Sequence, residues 1–303
     1  MTFHLPMEID ALRAAGADEA QVDACVSARL TEAFAEGLVD PPLYRWAVTR
    51  YTAVAEQLVS ADQAERCAAL QTVEPLADGL AGAALHGLIR LGYGAWRRNA
   101  AEVARGLAYL RTRRQVLLGP AAAGALVGSD DVPDFVDSGA TIFEQLNVVA
   151  GSGLLGTLST ARPVDAVAQA ATALVRRNPS SFVAVHAVTS LHALCELDAR
   201  ITGGRDIAGH DALAPWWRAL DVAHRACTVI VEALPPESPP PYADRFGPAH
   251  TIDDVCAAAL HTGDTHDVKL AVALRRLVDL GLVAPADAVE VGQRRLAAGR
   301  GRD

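Results

Sequence analysis

The chain has 303 residues, 51% of them hydrophobic and 5% aromatic, and its formal net charge is −9. This length allows a sizeable buried core, while an acidic balance without a long Lys/Arg tract disfavours nucleic acid as a partner. Glu8 and Asp10 lie in the N-terminal segment, so we expect no signal peptide. The longest uncharged stretches contain histidines or are short and glycine-rich, so we expect no membrane span. The five cysteines form no Cys-x-x-Cys pair, which predicts core thiols in a reducing cytoplasm.

Helix signals recur along the chain and strand signals are nearly absent. Asp18 with Gln21, and Asn99 with Glu102, have the spacing of an N-cap residue answered by the third helical residue. The pattern predicts about twelve helices, near residues 18–36, 42–58, 61–71, 78–97, 100–115, 131–147, 163–176, 182–199, 211–234, 252–261, 265–280 and 286–298. We therefore predict an all-α protein, built as one large helical domain over residues 1–303 or as two packed helical halves that meet near 150–162.

One glycine pattern resembles a dinucleotide-binding fingerprint, with glycines at 151, 153 and 156. A functional fingerprint follows a strand and opens a helix, whereas this segment follows a helical pattern and runs towards Pro163. We interpret it as a turn between helices, and the sequence predicts no cofactor-binding residues of this kind.

Four of the nine histidines lie in apolar or motif-like surroundings, far apart in the chain: His4, His86, His186 and His266. Each alone is more typical of a hydrogen-bonded core histidine than of a ligand. Neutral imidazole is nevertheless the commonest metal ligand, and helical bundles build metal sites from inward-facing residues on separate helices. Together with a buried lysine, the four histidines favour a metal site in the bundle core.

The neighbours of these histidines add polar groups at helical spacing. Arg90 and Tyr93 share a predicted helix face with His86, where they would orient a polar substrate or satisfy each other. Thr189 lies one turn beyond His186 on the same face. His192 is six residues beyond His186 and points elsewhere, so we interpret it as structural. The remaining histidines have charged or loop-forming neighbours and are predicted to be at the surface: His210, His224, His250 and His261.

Lys269 is the least expected residue on its predicted helix. At helical spacing the inward face consists of His266, Lys269, Leu270, Ala273, Leu274 and Leu277. An ammonium inside an apolar stripe is costly unless it is paired, neutral or chemically modified. With a histidine one turn away, this position favours a metal or catalytic site. The alternative is a lysine at the edge of the stripe whose ammonium reaches water.

Four blocks, in this order, resemble the successive blocks of the questin oxidase-like family: FHLPMEIDAL (3–12), LHGLIRLGYG (85–94), HAVTS (186–190) and GDTHDVK (263–269). Known members act on anthraquinones and related aromatic polyketides and open a ring oxidatively. They are described as NADPH-dependent Baeyer–Villiger-type oxidases and, for at least one member, as a non-haem iron dioxygenase with four histidines and a carboxylated lysine.

The resemblance implies an Fe(II) centre. It assigns His4, His86, His186 and His266 as iron ligands and Lys269 as a carbamate ligand, to which Thr189 would hydrogen-bond. We therefore expect an oxygenase that acts with O2 on a small aromatic substrate. A homodimer is among the assemblies that this chain allows.

Two other functions fit the same residues. The first is an NADPH-dependent, metal-free oxidase in which the histidines and Lys269 serve as acid–base groups. The second is a non-catalytic helical binding protein for a hydrophobic metabolite, in which the histidines are core hydrogen-bonding residues.

Overall fold

A computed structural model describes residues 5–35, 42–117, 141–152, 155, 162–204, 207, 211–239, 241–242, 246–247 and 249–299. Over these residues the protein is all-helical, which confirms the predicted fold class. Its thirteen α-helices are α1 (Leu5–Ala15), α2 (Glu19–Ala35), α3 (Pro42–Leu58), α4 (Gln63–Val73), α5 (His86–Trp96), α6 (Ala100–Thr112), α7 (Ile142–Ser152), α8 (Val164–Arg177), α9 (Phe182–Thr202), α10 (Ala214–Glu232), α11 (Ile252–Thr262), α12 (Thr265–Asp279) and α13 (Pro285–Ala298). Two short 3-10 helices, Glu74–Gly79 and Asp211–Leu213, lie between them.

The predicted helix starts are confirmed where a side chain caps the helix. Asn99 accepts a hydrogen bond from the backbone N–H of Glu102 at 3.3 Å, and α6 follows at once. Asp18 likewise accepts from the backbone N–H of Gln21 at 2.8 Å before α2. These contacts satisfy amide groups that the first turn of a helix leaves without partners.

One helix was missed, and two predicted helix boundaries were wrong. No helix was predicted for α1, and the helix predicted over 78–97 begins only at His86, because a 3-10 helix and a left-handed turn precede it. The predicted helix 131–147 falls partly outside the described residues, and α7 extends beyond it to Ser152. Close packing explains the second error. A Cβ atom at Gly82 would lie 1.8 Å from the carbonyl oxygen of Arg113, so no ordinary helical residue fits there.

Helix α9 is the central element of the described core. It packs against α4, α5, α8, α10 and α12, and nearly all of its residues are buried. Ser181 caps its start by accepting from the backbone N–H of Ala184, and Gly203 ends it at a φ of 75°. By length and composition this helix is apolar enough to cross a membrane, but 89% of its apolar window is buried against the rest of the fold, which is the pattern of a core helix.

A glycine sets the separation between α5 and α9. A Cβ atom at Gly92 would lie 2.2 Å from the carbonyl oxygen of Ala193, so the two backbones are in direct contact there. The next helix, α6, packs on another side of α5. Close backbone approach of this kind brings side chains from the two helices within hydrogen-bonding reach.

Candidate metal centre

A strained turn positions His86. Ala83, Ala84 and Leu85 have φ values of 48°, 58° and 68°, a left-handed conformation that costs a non-glycine residue about 1–2 kcal/mol. Such a run persists only where the surrounding structure determines it, and it is typical of functional sites. The turn places the carbonyl oxygen of Ala83 2.5 Å from the Nδ1 atom of His86. It therefore supplies the group that orients the imidazole.

His186 is oriented in the same way from α9. Its Nδ1 atom lies 2.6 Å from the carbonyl oxygen of Phe182, one turn earlier in the helix. Because a carbonyl oxygen only accepts, the Nδ1 atoms of both His86 and His186 carry the hydrogen. In the neutral rings the two Nε2 atoms then hold lone pairs.

These two Nε2 atoms face each other at 3.1 Å. The ring centroids of His86 and His186 are 4.7 Å apart with the rings nearly perpendicular. Farther along the same two helices Gly92 meets Ala193, so α5 and α9 run in the same direction. Two lone pairs at hydrogen-bonding distance repel each other unless a proton or a cation lies between them.

Burial makes a proton unfavourable at this position. It lowers the pKa of His86 to about 3, and the charges of Lys269 and His266 add to that effect. Burial, followed by the neighbouring His86, holds the pKa of His186 well below its usual range. Both shifts favour the neutral ring, which is the state in which imidazole binds metals.

His266 adjoins the pair from the start of α12. Its ring centroid is 5.8 Å from that of His186 and 4.9 Å from that of Phe182. Its Nδ1 atom lies 3.3 Å from Oδ1 of Asp264, the N-cap residue of α12. Burial lowers the pKa of His266, although Asp264 opposes the shift.

Lys269 is buried, with 4% of its surface exposed. The alternative in which its ammonium reaches water therefore does not describe this residue. Its charge acts on the titration of all three rings, His86, His186 and His266. Of the five predicted metal ligands, His86 and His186 are in contact, His266 adjoins them, and Lys269 is close enough for its charge to act on all three rings. His4 lies outside the described residues.

The described residues contain no group of three or more His, Cys, Asp or Glu side chains arranged closely enough to hold a metal ion. The Nε2 atoms of His86 and His186 are 3.1 Å apart, and the ring of His266 lies farther off, with its centroid 5.8 Å from that of His186. Metal binding by this cluster remains a prediction.

The predicted substrate-positioning residues have other neighbours. Arg90 donates from Nε to Oε2 of Glu102 at 2.8 Å and from Nη1 to the hydroxyl of Tyr44 at 3.4 Å. The ring of Tyr93 lies 5.4 Å from that of His192. Burial raises the pKa of Tyr93 above its usual range. Each of the two residues thus belongs to its own polar or aromatic cluster, and their role towards a substrate stays a prediction.

Thr189 is buried in α9, three residues after His186. Its hydroxyl donates to the carbonyl oxygen of Val185 at 3.0 Å. A carbamate oxygen only accepts hydrogen bonds, so a contact with carboxylated Lys269 requires the hydroxyl to leave Val185. The predicted role of Thr189 therefore involves an exchange of hydrogen bonds.

One histidine was assigned wrongly. His224 was predicted at the surface, but it is 1% exposed and its Nε2 atom lies 3.1 Å from Oγ of Ser190. Its charged neighbours misled the prediction because Asp221 and Arg225 pair with each other beside it on α10. His192 is fully buried and points away from His186, as predicted.

Two of the other three histidines predicted at the surface lie in the described residues. His250 and His261 are exposed, as predicted, and His210 lies outside the described residues. All five cysteines are thiols; Cys195, Cys227 and Cys256 are buried in the core, as predicted, whereas Cys25 and Cys67 are partly exposed.

Sequence reasoning missed the residues that support His266. In the sequence Asp264 has the place of an ordinary helix-capping residue, and Phe182 that of an ordinary core aromatic. Arg295 lies near the end of the last helix, where a basic residue is usually at the surface, yet it is 0% exposed. No local signal distinguishes it from the adjacent Arg294.

Comparison with protein-family models, with curated proteins and with solved structures found no match to this chain. The resemblance to the questin oxidase-like family therefore rests on the four sequence blocks alone, and membership of that family stays a prediction.

Proposed function

We propose that this chain is a non-haem iron oxygenase that uses O2 to open, or otherwise oxidise, a ring of an aromatic polyketide-type substrate. The observation that carries the proposal is the pair of Nε2 atoms of His86 and His186, which face each other at 3.1 Å between α5 and α9. The substrate class comes from the sequence resemblance. A cytoplasmic location is part of the proposal, in keeping with cysteines that are thiols.

The spacing of the two nitrogens suits a shared metal ion. Imidazole nitrogens bind a first-row metal at about 2.0–2.1 Å, so two of them at right angles around one ion are about 3.0 Å apart. The hydrogen bonds from Nδ1 to the carbonyls of Ala83 and Phe182 fix the tautomer that leaves Nε2 available. His266, Lys269 and His4 complete the proposed ligand set.

Charge decides which form of Lys269 fits this site. An ammonium close to a bound cation would repel that cation, whereas an anionic oxygen donor would attract it. Addition of carbon dioxide to the Lys269 amine, with loss of a proton, forms a carbamate whose oxygens are anionic. Oxygen and imidazole donors together suit Fe(II). We therefore include carboxylated Lys269 in the proposal.

Bound Fe(II) would supply the site at which O2 or an ionised phenolic substrate is activated. The residues of the chain would bind the metal ion and orient the substrate. His186 is buried and His86 is partly buried beside it, next to apolar core residues of α5 and α9, and such partial removal from water strengthens electrostatic interactions. Arg90 and Tyr93 are proposed to orient the substrate or support His86.

Anaerobic purification followed by reconstitution with Fe(II) and elemental analysis tests the proposal. We expect one equivalent of iron in the wild-type protein and little in His86→Ala or His186→Ala, because each change removes a facing nitrogen. His261→Gln is the matched control, since His261 is exposed on α11 and bonds only to its own helix at the carbonyl of Ala257.

Oxygen uptake with a panel of hydroxyanthraquinones then tests the reaction. Uptake that follows iron content across the variants supports the oxygenase. Absence of iron after reconstitution would refute the iron oxygenase. Substrate-dependent NADPH consumption without iron would indicate the metal-free oxidase. Tight binding of the aromatic compounds with no oxygen uptake would indicate a binding protein.

A further inference from the structure

Arg295 joins the two segments that carry His186 and His266. It lies on α13 and is fully buried. Its Nη1 atom donates to the carbonyl oxygens of Pro179 and Ser180 at 3.0 and 3.1 Å, immediately before the start of α9. A buried guanidinium can satisfy several acceptors at once because its donors form a rigid planar fork.

The same guanidinium holds the first turn of α12. Its Nε atom donates to Oδ1 of Asp267 at 2.7 Å, and its Nη2 atom lies 3.6 Å from Oδ2 of Asp264. The two carboxylates lie on either side of His266 in sequence, so Arg295 balances the negative charge beside that histidine. Buried charges require such partners.

Asp264, which Arg295 contacts, in turn contacts both the backbone and the imidazole of His266. Its Oδ1 atom accepts a hydrogen bond from the backbone N–H of His266 at 2.8 Å and lies 3.3 Å from Nδ1 of the ring. A carboxylate on one ring nitrogen directs the other nitrogen towards a metal and raises its basicity. The ring of Phe182 is near both groups, 5.7 Å from the Arg295 guanidinium and 4.9 Å from the His266 ring.

We propose that Arg295 is a positioning residue for the candidate metal centre. Through Asp264 it orients His266, and through the carbonyls of Pro179 and Ser180 it fixes the start of α9 and hence His186. This inference rests on the proposed iron site. Its physical basis is geometric, because a guanidinium reaches acceptors on both segments at once and a lysine ammonium does not.

Metal titration with Arg295→Lys and Asp264→Asn tests the inference, using Co(II) as a spectroscopic probe and Fe(II) under anaerobic conditions. We expect each variant to bind metal about 10-fold to 100-fold more weakly, as for other residues that orient a ligand, and the absorption of bound Co(II) to change. Arg294→Lys is the matched control, because Arg294 is the neighbouring residue and also donates to backbone carbonyls, those of Arg176 and Glu237. It should bind metal as the wild type does.

The outcomes separate the two proposals. Wild-type protein that binds no metal overturns the iron site itself. Wild-type protein that binds metal, together with variants of unchanged affinity and unchanged Co(II) absorption, overturns only the role of Arg295. Weaker binding with unchanged Co(II) absorption also overturns it, since that result indicates a general loss of stability. If Arg295→Lys does not fold, Asp264→Asn decides, because it keeps the pair of Arg295 and Asp267.

Discussion

Replacing Gly92 by alanine should separate α5 from α9 and open the histidine pair. The added Cβ atom would lie 2.2 Å from the carbonyl oxygen of Ala193 and 2.5 Å from its Cα atom. Heavy atoms in ordinary contact are about 3.5–4.0 Å apart, so the helices must move apart by roughly 1 Å. Both obstructing atoms belong to the backbone of α9, and no side-chain rotation relieves the clash.

The consequence for the site follows from the distance between the two Nε2 atoms of His86 and His186. It is 3.1 Å in the native packing, and a displacement of the helices by roughly 1 Å would bring it to about 4 Å. Two nitrogens that share one ion are at most about 4.2 Å apart, and only when they lie on opposite sides of it. We therefore expect metal affinity to fall by about 10-fold or more.

Stability should fall as well. Overpacking a core costs about 1–3 kcal/mol, and a rigid backbone obstacle places Gly92→Ala near the upper end of that range. The helical preference for alanine over glycine stabilises the variant by about 1 kcal/mol and partly offsets this loss. The expected net loss is about 2 kcal/mol in the free energy of unfolding, measured by urea denaturation.

Gly151→Ala is the matched control for this change. Gly151 is also within a helix, but a Cβ atom there would have no neighbour within 4 Å. That variant should gain about 0.5–1 kcal/mol and keep the metal affinity of the wild type. A Gly92→Ala protein as stable as Gly151→Ala, with unchanged metal affinity, would refute the close approach of α5 and α9.

Two further predictions concern stability alone. Burial lowers the pKa of His224 from 6.5 to about 3, so the unfolded chain binds the extra proton first, and stability should fall as the pH drops below about 6.5. His224→Asn should reduce this slope by up to about 1.4 kcal/mol per pH unit between pH 6 and 4, and an unchanged slope in urea denaturation would contradict the assignment. Glu102→Gln removes the buried carboxylate partner of Arg90 and should cost about 3–5 kcal/mol by thermal or urea unfolding. The control Glu19→Gln acts on the exposed pair with Arg13 and should cost less than about 1 kcal/mol; equal losses would count against a buried ion pair.

Much of the helical framework is a local property and was predictable. The caps at Asp18 and Asn99 act within one turn of the chain, and the apolar periodicity of α9 and α12 extends over only a few turns. About a dozen residues are enough to recognise such a helix, because helical hydrogen bonds join residues four apart. The same periodicity placed Lys269 on an apolar helix face but left open whether its ammonium reaches water, and the structure shows the residue buried.

The left-handed turn before His86 was not predictable in this way. Ala83, Ala84 and Leu85 all favour ordinary helix, and none of them is a residue that usually marks positive φ. Contact with a distant segment, seen at Gly82 against Arg113, takes precedence over the local preference. The helix predicted over 78–97 was wrong for this reason.

The sequence by itself determined the helical class and singled out the histidines and the lysine that face the core. Only the tertiary structure decided that His86 and His186 meet, that His224 is buried and that Arg295 bridges α9 and α12. The physical reason is the range of the interactions. Helix periodicity shows which side of each helix faces inward, whereas the meeting of side chains 100 residues apart in the chain depends on how closely the helices pack, and a single glycine at position 92 controls that approach.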